Sequence, residues 1–120
     1  MFINFTNHPS SVWEKSQIEA AEAFGQIVDM EFPSVDGRGD EHYIAGLVSQ
    51  YVSRIRDLAS NSENTVIHIM GEMTFTCAMV NSLQHNGYTC VASTTERNVT
   101  LLDDGSEKVQ FQFIRFRQYL

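Results

Sequence analysis

The side chains best suited to a ligand site fall into four short segments rich in hydroxyls and amides. They are Thr6-Asn7-His8-Pro9-Ser10-Ser11, the stretch from Ser34 to Gly39, Gly71-Glu72-Met73-Thr74, and Ser93-Thr94-Thr95-Glu96-Arg97-Asn98. In the first, His8 is a candidate acid or base, since a free imidazole titrates near about pH 6.5. Ser10 or Ser11 opening a helix would add hydroxyls and free N–H groups able to hold a phosphate, with Asn7 beside them. The plainer alternative makes Ser11 a helix cap and His8 a solvated turn residue. In the third segment, Gly71 permits close backbone approach, and Thr74 can cap a helix or bind an anion. Glu72 repels anions, but it can accept from a ribose hydroxyl or brace an arginine. Its alternative is a surface acid favoured by a helix dipole. In the fourth, the Arg97 guanidinium suits a forked contact with phosphate, and Thr95 and Asn98 are neighbouring donors. The alternative for Arg97 is a surface pair with Glu96 or an aspartate, which stabilises little.

Other chemistries lack their residues. No His, Cys, Asp and Glu set has metal-ligand spacing, so no metal is expected. There is no Gly-x-Ser-x-Gly elbow, no Gly-x-Gly-x-x-Gly after the first strand and no Walker sequence. NAD and ATP are therefore poor candidates, and no cofactor is expected. Cys77 and Cys90 lie in apolar segments, match no zinc or redox motif, and read as buried free thiols. His68, inside a strand, reads as a satisfied core or interface histidine; His42 and His85 read as solvent-facing. Met70, Met73 and Met79 read as core filler.

The chain has 120 residues, which is one domain's worth. Apolar residues make up 42% and charged residues 19%, proportions of a globular protein. Eight basic residues face fifteen acidic ones for a net charge of −7, which argues against a surface that coats DNA or RNA. A small anion remains possible, because a few Arg residues and N–H groups suffice. No apolar run approaches the roughly 20 residues of a membrane span. Met1 to Phe5 has no basic region and no long apolar segment, unlike a secretory signal. A cytoplasmic protein without a membrane partner is expected.

The elements that must position these residues follow from periodicity and caps. Phe2 to Thr6 reads as a strand. Ser11 followed by Glu14 makes a capping box, so a helix should start near Val12, with Trp13, Gln17, Ala20, Ala21 and Phe24 on one face and Gly25 as its stop. Gln26 to Phe32 reads as a second strand. Asp40 should cap a second helix carrying Ile44, Leu47, Val48, Tyr51, Ile55 and Leu58. Thr65 to Met70 reads as a central parallel strand covered on both faces. Phe75 to Gln84 reads as a third helix, Tyr88 to Ala92 as a fourth strand, and Ser93 to Asn98 as a loop. Val99 to Leu102 and Lys108 to Phe116 flank Asp103-Asp104-Gly105-Ser106 and read as a β-hairpin. The alternation slips at Phe113-Ile114, which requires a bulge or burial on both faces there. The order implies a small Rossmann-like α/β sandwich, mostly parallel, with a C-terminal antiparallel hairpin. Ligands of such sheets bind outside the carboxyl ends of the strands, and those ends gather the four polar segments.

Thr6-Asn7-His8-Pro9-Ser10, Gly71-Glu72-Met73-Thr74-Phe75 and Ser93-Thr94-Thr95-Glu96-Arg97 together resemble the small stand-alone proteins of the CRISPR-associated Rossmann-fold (CARF) group, of the ring nuclease kind found beside type III systems. The resemblance covers nearly the whole chain as one domain, 1–120, but as a pattern without a sharp motif. It implies a homodimer that binds a cyclic oligoadenylate, the tetramer first among them, and cleaves it without a metal to linear products with 2′,3′-cyclic phosphate ends. On that reading His8 is the acid or base and Arg97 the phosphate stabiliser. The ligand-binding residues are then Asn7, Ser10, Ser11, Gly71, Glu72, Thr74, Thr95 and Asn98. The acidic balance and Glu72 depart from the family's pattern. Two alternatives stay open: a nucleotide sensor or sponge without chemistry, and a protein-interaction domain using Phe111, Phe113, Phe116 and Tyr119.

Overall fold

A computed structural model describes residues 1–120. Four strands run parallel and the fifth antiparallel: β1 (Phe2–Phe5), β2 (Ile27–Asp29), β3 (Val66–Ile69), β4 (Thr89–Leu101) and β5 (Glu107–Gln118). Three helices connect them: α1 (Lys15–Glu22), α2 (Glu41–Leu58) and α3 (Met73–His85). Their order in the sheet is β2-β1-β3-β4-β5. The chain leaves β1 toward one edge and returns past it to β3, so the order reverses between β1 and β3. That reversal opens a crevice at their carboxyl ends, where open α/β sheets bind ligands. The Rossmann-like sandwich with an antiparallel C-terminal pair is thus the observed architecture.

Alternation along the strands divides the core. Ile3, Phe5, Ile67 and Ile69 pack with Val52 and Ile55 of α2 and Phe75, Met79, Val80 and Leu83 of α3. Phe2 and Val66 face the other way, onto Ala21 of α1 and Phe113 and Phe116 of β5. Asn4 and His68 share that second face by the two-residue period and are buried there as polar groups. The two faces are not covered alike. α2 is long, and Asp40 caps it by accepting from the Tyr43 N–H at 3.0 Å. α1 has only eight residues, about 12 Å at 1.5 Å per residue. Its first turn reaches the crevice, where Glu14 and Gln17 contribute to the lining.

Several expectations need correction. The Ser11–Glu14 capping box does not form. Ser10–Val12 make one turn of 3₁₀ helix, and α1 starts at Lys15 without a side-chain cap. Glu14 instead accepts from the Phe113 N–H at 2.6 Å, joining the start of α1 to β5. Ser10 donates through both its hydroxyl (2.8 Å) and its N–H (3.1 Å) to Asp29. β2 is shorter than the expected Gln26 to Phe32, and Phe32 turns into the α2–α3 core. The N-cap of α3 is Glu72, not Thr74: its carboxylate accepts from the N–H groups of Thr74 (3.1 Å) and Phe75 (2.8 Å).

The largest difference concerns Ser93 to Asn98, which is no loop but the middle of β4, one continuous 13-residue strand. There are accordingly five strands rather than six. β4 pairs with β3 only over Thr89–Val91, and its remainder pairs with β5 alone as a two-stranded ribbon beyond the sheet. The expected bulge is present: Thr94 faces Arg115 and Thr95 faces Phe113, leaving Ile114 unpaired. Met70 and Met73, 39% and 77% exposed, are not core filler; Met79 is buried. Of the two free thiols only Cys90 is buried; Cys77 is exposed.

Candidate functional site

The crevice at the β1/β3 reversal has a volume of about 570 Å³, within the usual range for small-molecule sites. The turn after β1 supplies Thr6, Asn7 and His8, and the end of β3 supplies His68, Met70 and Gly71. Ser93, Thr95 and Phe111 come from the root of the ribbon, and Trp13 and Gln17 from the approach to α1 and its first turn. Three of the four expected segments therefore meet. The segment from Ser34 to Gly39 does not; Ser34 lines a separate hollow over Val28–Pro33 and α2.

Of the expected site residues, the structure brings Asn7, His8, Gly71 and Thr95 into the lining. Arg97 stands one same-face step beyond Thr95, opposite Phe111, at the rim. It makes no ion pair; the one pair in the chain is Lys15–Glu19. Asn98 lies on the opposite face of the ribbon and donates to Gln112 at 3.2 Å. Ser10, Ser11, Glu72 and Thr74 do not line the crevice. The two helix starts expected to cradle phosphate already hold carboxylates: Asp29 on Ser10, and Glu72 on Thr74 and Phe75. Hydrogen bonds from the Phe75 N–H and then from Thr74 hold the Glu72 carboxyl below its ordinary pKa, so it stays ionised in that role.

A polar network behind the crevice was not legible in the sequence; Asn4 and Asp29 line a neighbouring hollow, and the network reaches the crevice through Thr6 and His68. Asp29 accepts from the Asn4 amide at 2.8 Å, and the same amide nitrogen donates to the His8 carbonyl at 2.8 Å. Burial raises the Asp29 pKa, but the hydrogen bonds from Asn4 and Ser10 together outweigh it and leave the carboxyl below its ordinary value. Asn4 Oδ1 then accepts from Thr6 Oγ1 at 2.9 Å and lies 3.1 Å from His68 Nδ1. Phe2, Trp13 and Phe116 surround the imidazole with ring centroids 6.0, 5.5 and 5.1 Å away. Burial, with a smaller repulsion from His8, pushes the His68 pKa down to about 4, so the ring is neutral near pH 7. His68 is 2% exposed and its Nε2 has no partner. An unpaired buried acceptor costs about 1–3 kcal/mol. A lone polar side chain in an apolar strand was visible in the sequence; its missing partner was not.

Trp13 closes one side of the crevice. Its indole N–H donates to the His8 carbonyl at 3.1 Å. Phe111, 65% exposed, stands on the ribbon side. The crevice thus offers two aromatic surfaces, the hydroxyls of Ser93 and Thr95, and two imidazoles. None of its 13 lining residues is Lys or Arg. No three His, Cys, Asp or Glu side chains converge to hold a metal ion, and no helix is long and apolar enough to cross a membrane.

Fold and crevice together define a small Rossmann-like α/β protein with a candidate ligand site at the strand carboxyl edge. The family model described as the Uncharacterized protein MJ1673 family matches residues 1–117, and the chain belongs to that family. Neither the curated proteins nor the solved structures provide a match.

Proposed function

We propose that the protein binds a cyclic oligoadenylate, the tetramer first among them, in the β1/β3 crevice and cleaves it to linear products with 2′,3′-cyclic phosphate ends, in the cytoplasm. The observation that carries the reading is the crevice itself. Trp13 and Phe111 give stacking surfaces for bases, Ser93 and Thr95 give hydroxyls for sugar and phosphate, and His8 gives a proton carrier. In such a cleavage the ribose 2′-oxygen bonds to phosphorus as the phosphorus–O5′ bond breaks. The hydroxyl loses its proton to a base, and the leaving oxygen gains one. The protein's part is to hold the hydroxyl in line and stabilise charge. His8 lies where it can carry a proton, and Arg97 at the rim is the nearest same-face cation to the lining.

A homodimer belongs to this reading. The ribbon carries Val99, Leu101, Val109 and Phe111 exposed on one face, and only Glu96, Asn98, Thr100, Lys108, Gln110 and Gln112 on the other. Arg97 and Glu107 lie at opposite ends of the apolar face. Two ribbons paired about a two-fold axis would bring them together.

One observation favours a second reading, a sponge or sensor that binds without cutting: the lining holds no cation of its own to stabilise a developing charge. Incubation with cyclic tri-, tetra- and hexa-adenylate in the presence of EDTA, with products resolved by chromatography, separates the two. Linear products with cyclic-phosphate ends are expected. Intact rings that co-elute with the protein would establish the sponge, and intact unbound rings would overturn both.

A further inference from the structure

We propose that His68 Nε2 is the hydrogen-bond acceptor at the floor of the crevice, taking an N–H or O–H donor of the bound nucleotide. The donor is either the amino group of adenine or the 2′-hydroxyl of ribose. The inference rests on the nucleotide reading above and deepens it by naming the group that reads the ligand.

The tautomer follows from a chain of fixed partners. Ionised Asp29 can only accept, so the Asn4 nitrogen faces it, at 2.8 Å. The same nitrogen also donates to the His8 carbonyl, at 2.8 Å. Asn4 Oδ1 is then the atom turned to His68 Nδ1, at 3.1 Å. An amide oxygen needs a donor there, so Nδ1 carries the ring's one hydrogen and Nε2 keeps its lone pair. That lone pair has no partner in the protein, although His68 is 2% exposed. Buried acceptors of this kind are rare in native proteins. His68 also lines the crevice. The half-buried Trp13 ring stands edge-on to it at 5.5 Å, packed on Phe2 and Phe116 at 6.3 and 6.1 Å, with one side-chain hydrogen bond to the His8 carbonyl. A ligand reaches Nε2 by moving the indole aside. Asp29 and Asn4 act through His68 and are positioning residues. A lone pair in this place accepts a donor and repels a ligand carbonyl.

The test compares wild type with His68→Phe, which keeps a flat ring and removes the nitrogens. The probes are cyclic tetra-adenylate, its inosine-substituted ring and its 2′-deoxy ring; the readouts are calorimetric affinity, melting temperature and the ring ¹⁵N shifts of His68. The free protein should show hydrogen on Nδ1, and the tetra-adenylate should shift Nε2. His68→Phe should bind roughly tenfold to a hundredfold more weakly while its melting temperature does not fall, a combination that a purely structural histidine would not produce. In wild type one modified ring should lose a similar factor. Loss with inosine assigns the donor to adenine, and loss with the deoxy ring assigns it to ribose. Hydrogen on Nε2 in the free protein, undiminished binding by His68→Phe, or full affinity for both modified rings would overturn the assignment. If His68→Phe does not fold, the nitrogen shifts and the modified rings decide on wild type alone. If wild type binds none of the rings, the nucleotide reading falls and this assignment with it; if wild type and His68→Phe bind equally, only the assignment falls.

Discussion

Gly71→Ala tests how the crevice floor is built into the core. In the sequence this glycine reads as room for a ligand; in the structure its missing side chain also makes room for Phe32. A Cβ at position 71 would fall inside van der Waals contact with three atoms of the Phe32 ring. Phe32 is 4% exposed and cannot retreat, because Phe5 and Phe75 pack against it with centroids at 5.2 and 5.4 Å. Overpacking of this kind costs about 1–3 kcal/mol. For a chain of this size each kcal/mol lowers the melting temperature by roughly 3–6 °C, so a fall of roughly 3–18 °C is expected. The assay is a double-mutant cycle with Phe32→Leu, read by urea unfolding. Phe32→Leu alone should destabilise by opening a cavity. The double variant should be more stable than the sum of the singles predicts, by about 0.5–3 kcal/mol. A Gly71→Ala protein as stable as wild type, or strict additivity, would refute the argument that Phe32 dictates the glycine.

Three further outcomes follow from the same geometry. His68 is neutral in the folded protein down to about pH 4, whereas an unfolded imidazole takes its proton near about pH 6.5. The unfolded state therefore binds more protons in that window, and stability should fall by about 1.4 kcal/mol per pH unit as pH drops through it; His68→Phe should remove that slope in urea titrations at stepped pH. The folded pKa of Asp29 is depressed, so its contribution is present above the unfolded carboxyl pKa and lost as pH falls through the folded one; Asp29→Asn should lower stability at pH 7 and flatten the acid limb below about pH 4. Leu101→Glu, at a position 74% exposed on the apolar ribbon face, should shift the sedimentation equilibrium from dimer to monomer without changing the melting temperature of the monomer; an unchanged distribution would remove the ribbon as the dimer contact.

How much of this was legible in the sequence depended on how local the partners are. α2 could be read because its cap, Asp40, and its apolar stripe lie within the helix itself. β3 could be read because both its faces are buried, and the bulge because alternation breaks where Ile114 loses its partner. The capping box failed because Glu14 bonds to Phe113, 99 residues away, while Ser10 bonds to Asp29. Ser93 to Asn98 passed for a loop because alternating polarity marks a strand only where one face is buried. Much of this stretch lies on a ribbon open to solvent, held by its pairing with β5. The convergence of the first, third and fourth segments was foreseeable from topology. The orientation of His68 was not, since it depends on an asparagine in β1 turned by an aspartate in β2.

The chain has a single tryptophan, and Trp13 lines the proposed site, so its fluorescence reports on that crevice and no other. Titration of the purified protein with cyclic tri-, tetra- and hexa-adenylate is the most direct test that this crevice is the ligand site. A saturable change in Trp13 emission with one ring size, weakened by His68→Phe, is the predicted result. Emission that stays flat with every ring, or that responds identically to unrelated mononucleotides, would contradict it.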